Sequence, residues 1–589
     1  MSDASFETAC HRSVRALQLA ALPLERLDLP PPTILDTPAG RFYRLDPSCL
    51  ERLAAITWRR LQFGFPLAYL QELASLLTSP SASDLDRFVL RQLLANARAS
   101  ADGIYPTCQD TGTAILYGWK GDRIITDSPD DDRFHFERGM LSAWRDSKLR
   151  SSQLLPLAGA AERNSGDNSP LAAELYTTKG DCYELILLAK GGGSANKSRL
   201  WQETKALLEP ARLRAFLADA INDLGVSACP PYGLALAIGG QSAEQCLSAV
   251  KLASLGALDA LPTAAGDGPW RDLVTEALLL ELAASSGWGA QFGGTAMARS
   301  ARVIRLPRHA ASLPVGLGLS CAAHRQLHAR IGPDGLWLES VAEAADIDRL
   351  LADVDRSLAG GRQPQANSGR PADVSACPPD SATPATGAVG GHRSAADLPA
   401  VNLDDWTPGA PLTAALTDLR AGQLVRLSGS VILARDAAHA RLRRLLAEGK
   451  SLPDWARFPL YYASPTETQE GCVIGSLGPT TARRMDGYVA ELMQVGCGRL
   501  MLGKGERGTA CAEACREHGG MYFAAVGGAA ALGARDHVSA ALLLDWPELG
   551  MEAVRRVTLK DLPALVAIDA QGNDYYNRLP TNAPEKETP

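Results

Sequence analysis

The sequence predicts an α/β (mixed α+β) fold in two domains, and three observations carry that expectation. At 589 residues the chain exceeds the roughly 250–300 that a single hydrophobic core organises. Residues 360–396 are dominated by Pro, Gly, Ser and Ala and have almost no large apolar side chains, so they cannot bury enough surface to order themselves. On both sides of them, short runs of branched apolar residues alternate with segments of helical periodicity. The expected organisation is an irregular helical extension over 1–80, an N-terminal domain over 81–355, a linker over 356–400 and a smaller C-terminal α/β domain over 401–589.

Composition narrows the function. Apolar residues at 46% and charged residues at 21% are ordinary for a globular chain, and a net charge of -7 argues against nucleic acid as the partner. The twelve cysteines are scattered, without the short spacings of a disulfide framework, which predicts a reduced, cytoplasmic protein with thiols free for metal. Asp3 and Glu7 stand where a signal peptide would be basic, and the apolar run 277–284 is short and broken by Glu281, so neither a leader nor a membrane span is expected.

Taken in order, Pro30, Pro31 and Pro32 interrupt the first 80 residues. Residues 80–99 read as a helix, with Asp84 placed to cap it and Leu85, Phe88, Val89 and Leu93 at helical spacing. A turn at Asp102-Gly103 leads into Cys108-Gln109-Asp110-Thr111-Gly112, where short polar side chains and a glycine favour a turn over a helix. Residues 182–190 (CYELILLAK) read as a buried strand that runs into Gly191-Gly192-Gly193-Ser194-Ala195-Asn196-Lys197-Ser198. A strand feeding a glycine loop ahead of a helix is an anion cradle, because backbone N–H groups there face the ligand. A nucleotide-binding P-loop needs its second glycine where Asn196 stands; a small carboxylate suits the loop as well as a phosphate.

Cys229 is followed by Pro230-Pro231, which stiffen the backbone beside it, and by the apolar run 234–238. A third block runs through Gln291-Phe292-Gly293-Gly294 and 303–309 to Ser320-Cys321. Three cysteines in loops beside glycines, with no fourth in a comparable setting, suggest a three-thiolate site that leaves one metal position open for catalysis. After the linker, which contains Cys377, residues 424–434 read as strand segments joined at Ser428-Gly429. A helix follows, with Asp436 as N-cap and Leu442, Leu445 and Leu446 as its buried stripe. Residues 542–544 and 564–568 read as short strands.

The blocks CQDTGTA (108–114), KGGGSANKS (190–198), ACPPY (228–232), GAQFGG (289–294), RLPRH (305–309) and GPTTARRMD (478–486) together resemble class I (iron–sulfur) fumarate hydratases in their single-chain form. PELGMEA (547–553) and GNDYY near the end extend the likeness over about residues 85–580. The resemblance implies a 4Fe-4S cluster on Cys108, Cys229 and Cys321, and reversible addition of water to fumarate giving (S)-malate, in a homodimer. It implies Arg150, Arg435 and Arg484 as clamps on the two carboxylates, with Lys504 adding charge. Gln109, Gly193, Asn196 and Lys197 join them as substrate-binding residues. Thr480 is the implied base at the β-carbon, and Asp110 and His309 are candidates for the proton on the hydroxyl side.

Bland readings stand beside these. Taken without the family, His309 reads as a hydrogen-bonded core histidine, His439 as structural, and Cys511 with Cys515 as solvent or core residues rather than a metal pair. Cys182, Cys246, Cys472 and Cys497 read as packing. The chain also departs from the family pattern. Gly233 follows CPPY where histidine is usual, and Arg299-Ser300 replaces His-Asp. Ser151 replaces a tyrosine, His324 an acidic residue, and Arg483 a glycine beside Thr480. These changes leave open a related dicarboxylate, mesaconate or tartrate, or a non-catalytic iron or oxygen sensor.

Overall fold

The computed structural model describes residues 5–159, 161–360 and 397–579; most of the linker and Cys377 lie outside the described residues. The chain forms two α/β halves. In the first, a six-stranded sheet runs in the order Leu24–Arg26, Gly335–Glu339, Gln326–Gly332, Tyr183–Lys190, Thr113–Gly121, Ala172–Thr178. Beside it a five-stranded sheet runs Arg199–Glu203, Leu313–Ser320, Tyr232–Gly240, Ala298–Arg308, Trp270–Arg271. The second half is built on a seven-stranded sheet with Leu424–Leu433, Leu500–Gly503 and Met521–Ala525 in its interior. Tyr183–Lys190 and Tyr232–Gly240 are buried almost throughout, because strands lie on both sides of each and both faces are covered.

The first 80 residues are not a separate extension. Leu24–Arg26 pairs antiparallel with Gly335–Glu339, and the helix Pro47–Phe63 buries Leu50, Leu53, Trp58 and Leu61 in the core under the six-stranded sheet. A segment broken by prolines still supplies an edge strand and an amphipathic face, and the sheet takes both. The first expected helix runs Asp84–Ser100, and Ser83, not Asp84, is its N-cap. Ser83 Oγ accepts from Asp86 N while Asp86 accepts from Ser83 N, a capping box that the third-position carboxylate completes. Arg435 likewise replaces Asp436 as the residue before the helix Asp436–Ala447, because the Arg435 side chain is turned to other partners and Asp436 lies in the first turn. Residues 564–568 prove to be the end of a long strand, Val554–Ile568, whereas Leu424–Leu433 carries its irregularity at the expected Ser428-Gly429.

One core crosses both halves, joining Leu93, Tyr232 and Leu319 to Tyr462, Met501 and Tyr522. Polar ties reinforce it. Asn96 donates to Gly528 O (3.1 Å) and accepts from Leu532 N (3.0 Å). Gln291 donates to Pro230 O (3.1 Å) and Gly527 O (2.9 Å) and accepts from Gly527 N (2.7 Å), so this buried amide fastens the Cys229 loop to the second half. No described helix is long and apolar enough to cross a membrane.

Candidate active site

Three loops carry Cys108, Cys229 and Cys321 to the seam between the halves. The Cys108 loop is held at Thr107, whose N–H donates to Gln62 O (2.8 Å) and whose carbonyl accepts from Asn96 (3.0 Å). Gln109 reaches across the seam to donate to Pro479 O (3.1 Å). Gly112 has φ +81°, and a Cβ there would stand 2.8 Å from the Lys190 carbonyl carbon, so only glycine lets this loop lie on the glycine cradle. Asp110 then accepts from Gly112 N (3.2 Å) and Gly192 N (2.8 Å), bracing one against the other.

Cys229 itself is in the left-handed region at φ +64°, held there by its N–H on Val226 O (3.0 Å) and by Gln291 on Pro230. Cys321 directly follows the strand Leu313–Ser320, and the next residue, Ala322, donates to Cys229 O (3.0 Å). Lys504 enters from the second half and donates from Nζ to Cys229 Sγ (2.7 Å). A Cβ on Gly527 would stand 2.4 Å from that sulfur and 2.9 Å from Lys504 Cδ, so the backbone of the second half closes on this pair where no side chain fits.

Beside the sulfurs lies a cavity of about 410 Å³. Its lining includes six cationic side chains (Arg150, Lys190, Lys197, Arg435, Arg484 and Lys504) and one carboxylate, Asp110. Gly193, Asn196 and Thr480 complete it with neutral donors and a hydroxyl. Arg150 and Arg435, one from each half, converge on a single buried acceptor: their Nη1 atoms donate to Ser464 Oγ at 3.1 and 2.6 Å. The Nε of each is buried without a partner. Glu552 (3.3 Å) balances Arg435, and Asp436 (3.2 Å) balances the half-exposed Arg484. Thr480 donates from Oγ1 to Tyr462 O (2.9 Å), and its backbone pairs with Lys504.

Burial lowers the Arg150 pKa and Arg435 pushes it further down, which is the mark of two like charges sharing one desolvated place. Burial alone would raise Asp110, but Arg150, Arg325, the Gly192 N–H and Lys504 hold its carboxyl below the usual carboxylate range. Burial pushes the Cys108 thiol up to about 11, with Arg325 opposing. Lys504 is held above the ordinary lysine value, against its burial, by the sulfurs of Cys229, Cys108 and Cys321 together. The three cysteines thus share one electrostatic neighbourhood.

Of the residues expected from sequence, Asp110, Arg150, Gly193, Asn196, Lys197, Arg435, Thr480, Arg484 and Lys504 line the cavity, and Gln109 lies behind it. His309 does not. It sits on an exposed turn after Ala298–Arg308, a strand whose parallel register with Tyr232–Gly240 starts at the Cys229 end and finishes at the other. At 3.3 Å per residue that separates His309 from the Cys229 end of the sheet by roughly 25 Å, so within this chain Asp110 is left without the expected histidine. It is not a core histidine either; His439, by contrast, is buried and pairs through Nδ1 with Arg435 O (2.9 Å). Cys511 and Cys515 are core residues. Arg483 is exposed and outside the cavity lining. Sequence reasoning missed Ser464, Lys190 and Gln291. Ser464 lies in no motif, but Lys190 and Gln291 stood inside blocks already singled out, and only their contacts give them a place.

Residues 52–330 match the family model described as fumarate hydratase, and residues 378–579 match the one described as the fumarase C-terminus. The chain belongs to the class I fumarate hydratase family. It is 39% identical to the aerobic class I fumarate hydratase of Salmonella typhimurium, over 91% of this chain and 86% of that one. It is 38% identical to the anaerobic class I enzyme of Escherichia coli over 93% of each, and 39% identical to fumarate hydratase 2 of Leishmania major over 91% and 88%. A class I fumarate hydratase is a hydro-lyase, and the polycationic cavity between the two matched regions is its candidate active site.

Proposed function

We propose that this chain adds water reversibly to fumarate to give (S)-malate, at a 4Fe-4S cluster held by Cys108, Cys229 and Cys321. The observation that carries the reading is the cavity itself: six cations against one carboxylate, with two buried guanidinium Nε groups lacking acceptors. Such a lining suits a small dianion clamped at both ends.

The donor set fits the cluster. Among the described residues no three His, Cys, Asp or Glu side chains converge on a single metal ion. A four-iron cluster asks for something else, thiolates set apart with one to each iron, and the three sulfurs around Lys504 suit that need. When bound, such a cluster supplies an open iron, a Lewis acid that stabilises the departing or attacking oxygen without changing its own electron count. Everything else falls to the chain.

Arg150 and Arg435, aimed by Ser464, take one carboxylate, and Arg484 with Lys504 takes the charge that develops near the other. The Gly193 and Asn196 loop and Lys197 close the far wall. Asp110, kept ionised, accepts the proton that water releases as its oxygen joins one alkene carbon. Thr480 gives its hydroxyl proton to the other carbon, and the resulting alkoxide is stabilised by Arg484 and Lys504. Solvent returns the proton from Asp110 to Thr480, so the sum is one water added across the double bond. A homodimer in the cytoplasm is the setting the family resemblance implies.

The test is fumarate loss by anaerobically reconstituted protein, with the malate enantiomer identified. (S)-malate formation that disappears in air is expected. A visible cluster without turnover on fumarate would overturn the substrate and send the search to mesaconate and tartrate.

A further inference from the structure

Gly233 opens a space that the side chain of Arg299 fills, beneath the loop that carries Cys321. A Cβ on Gly233 would stand 2.7 Å from Arg299 Nη2 and 3.2 Å from its Cζ. From that space the guanidinium, only 6% exposed, donates through Nη1 to Glu72 Oε2 (2.5 Å) and through Nη2 to His324 Nδ1 (3.1 Å). Its Cζ lies 5.0 Å from the centre of the Tyr69 ring, a cation–π contact in a largely desolvated place. The Tyr69 hydroxyl donates to Ala322 O (2.6 Å), and the His324 ring lies 5.2 Å from the Tyr69 ring. Ser320 Oγ is 2.6 Å from the same His324 nitrogen that faces Arg299. Cys321 is therefore flanked on both sides, at Ser320 and Ala322, by members of one assembly. Through Ala322 N that assembly also reaches Cys229 O (3.0 Å).

We propose that Arg299 is the positioning residue for the third cysteine: it locks the Cys321 loop to the helix Leu67–Thr78 and to the Cys229 loop, and it does so only because position 233 is glycine. Two of the chain's departures from the family pattern then form one unit, the missing side chain at 233 and the long cation at 299, and His324 is the partner that receives it. The proposal concerns where the thiol is held; it borrows only the cysteine's importance from the iron–sulfur reading.

Cluster-free protein tests it. Iodoacetamide labelling under reducing, anaerobic conditions, resolved peptide by peptide, reads Cys321 against Cys108, a thiol outside the assembly. Arg299→Gln is expected to speed Cys321 alkylation by roughly tenfold or more, the local opening that losing the charged hydrogen bonds to Glu72 and His324 produces, while Cys108 keeps its rate. Gly233→Ala leaves Arg299 in the chain but displaces its guanidinium, and is expected to give the same selective change. Arg299→Lys, which keeps a cation but loses the fork, falls between. Cys321 labelling at the wild-type rate in both variants, or an equal rise at Cys108, overturns the proposal. Should Arg299→Gln fail to fold, Gly233→Ala decides alone. Failure of the wild-type protein to take up a cluster would count against the iron–sulfur reading and leave this result standing.

Discussion

Replacing Ser464 with alanine removes the one hydroxyl on which two buried guanidinium groups converge. Ser464 Oγ accepts from Arg435 Nη1 at 2.6 Å and Arg150 Nη1 at 3.1 Å, and the serine is almost fully buried. A hydrogen bond from a charged donor contributes roughly 1.5–3 kcal/mol. Cavity water partly replaces one of the two in the variant, leaving about 2 kcal/mol of lost clamp alignment. That corresponds to roughly a 30-fold fall in kcat/KM, carried mainly by KM because the arginines bind the carboxylate before and during reaction alike. Without the shared acceptor the two like charges also repel unrelieved, so thermal stability in the absence of substrate falls too. Steady-state kinetics of reconstituted Ser464→Ala, set beside its thermal unfolding with and without fumarate, reads both effects. A kcat/KM within about twofold of wild type would show that the arginines are aimed by something other than Ser464.

Thr480→Ala is expected to abolish turnover while the reconstituted protein keeps its iron–sulfur absorbance, since Thr480 lines the cavity and is not among the cysteines; full activity would remove it from the proton path. Burial raises Glu339 to about 7, opposed by a 3.0 Å bond from His328 N–H. A carboxyl raised on folding stabilises the fold below its ordinary pKa and loses that contribution as pH climbs through the raised value, here on the order of 3 kcal/mol by pH 8. Glu339→Gln keeps the acceptor for His328 N–H and should therefore gain on wild type between pH 6 and 8.5 in urea unfolding; parallel curves would refute the assignment. Asp86→Ala removes the acceptor for Ser83 N (3.1 Å), Ala290 N (2.7 Å) and Thr295 N (2.9 Å), and is expected to cost about 3 kcal/mol or more. A urea midpoint unchanged from wild type would exclude that role.

Much of this site was legible in the sequence because its chemistry is local. Cys108, Asp110 and Gly112 are neighbours in one turn, and the strand Tyr183–Lys190 delivers the glycine cradle directly, so motif and geometry coincide. Where position depends on register the sequence was silent. His309 lies in a motif that a parallel strand carries, within this chain, to the end of the sheet away from the Cys229 loop. The first 80 residues read as irregular, yet an edge strand in them is completed by a partner about 300 residues away, and the helix Pro47–Phe63 is completed by residues such as Phe136 and Met140 from a later helix. Helix caps fell one residue off, since a cap is decided by which side chain turns back on the backbone.

By itself the sequence determined the fold class and the family, because those rest on residue types at fixed short spacings within each motif. Only the tertiary structure decided that Arg150 and Arg435 share Ser464, that Lys504 sits on Cys229, and that Arg299 occupies the space Gly233 leaves. Each of these is a contact between segments distant in the chain, and such contacts are set by packing and by the need to pair buried charge rather than by any local pattern.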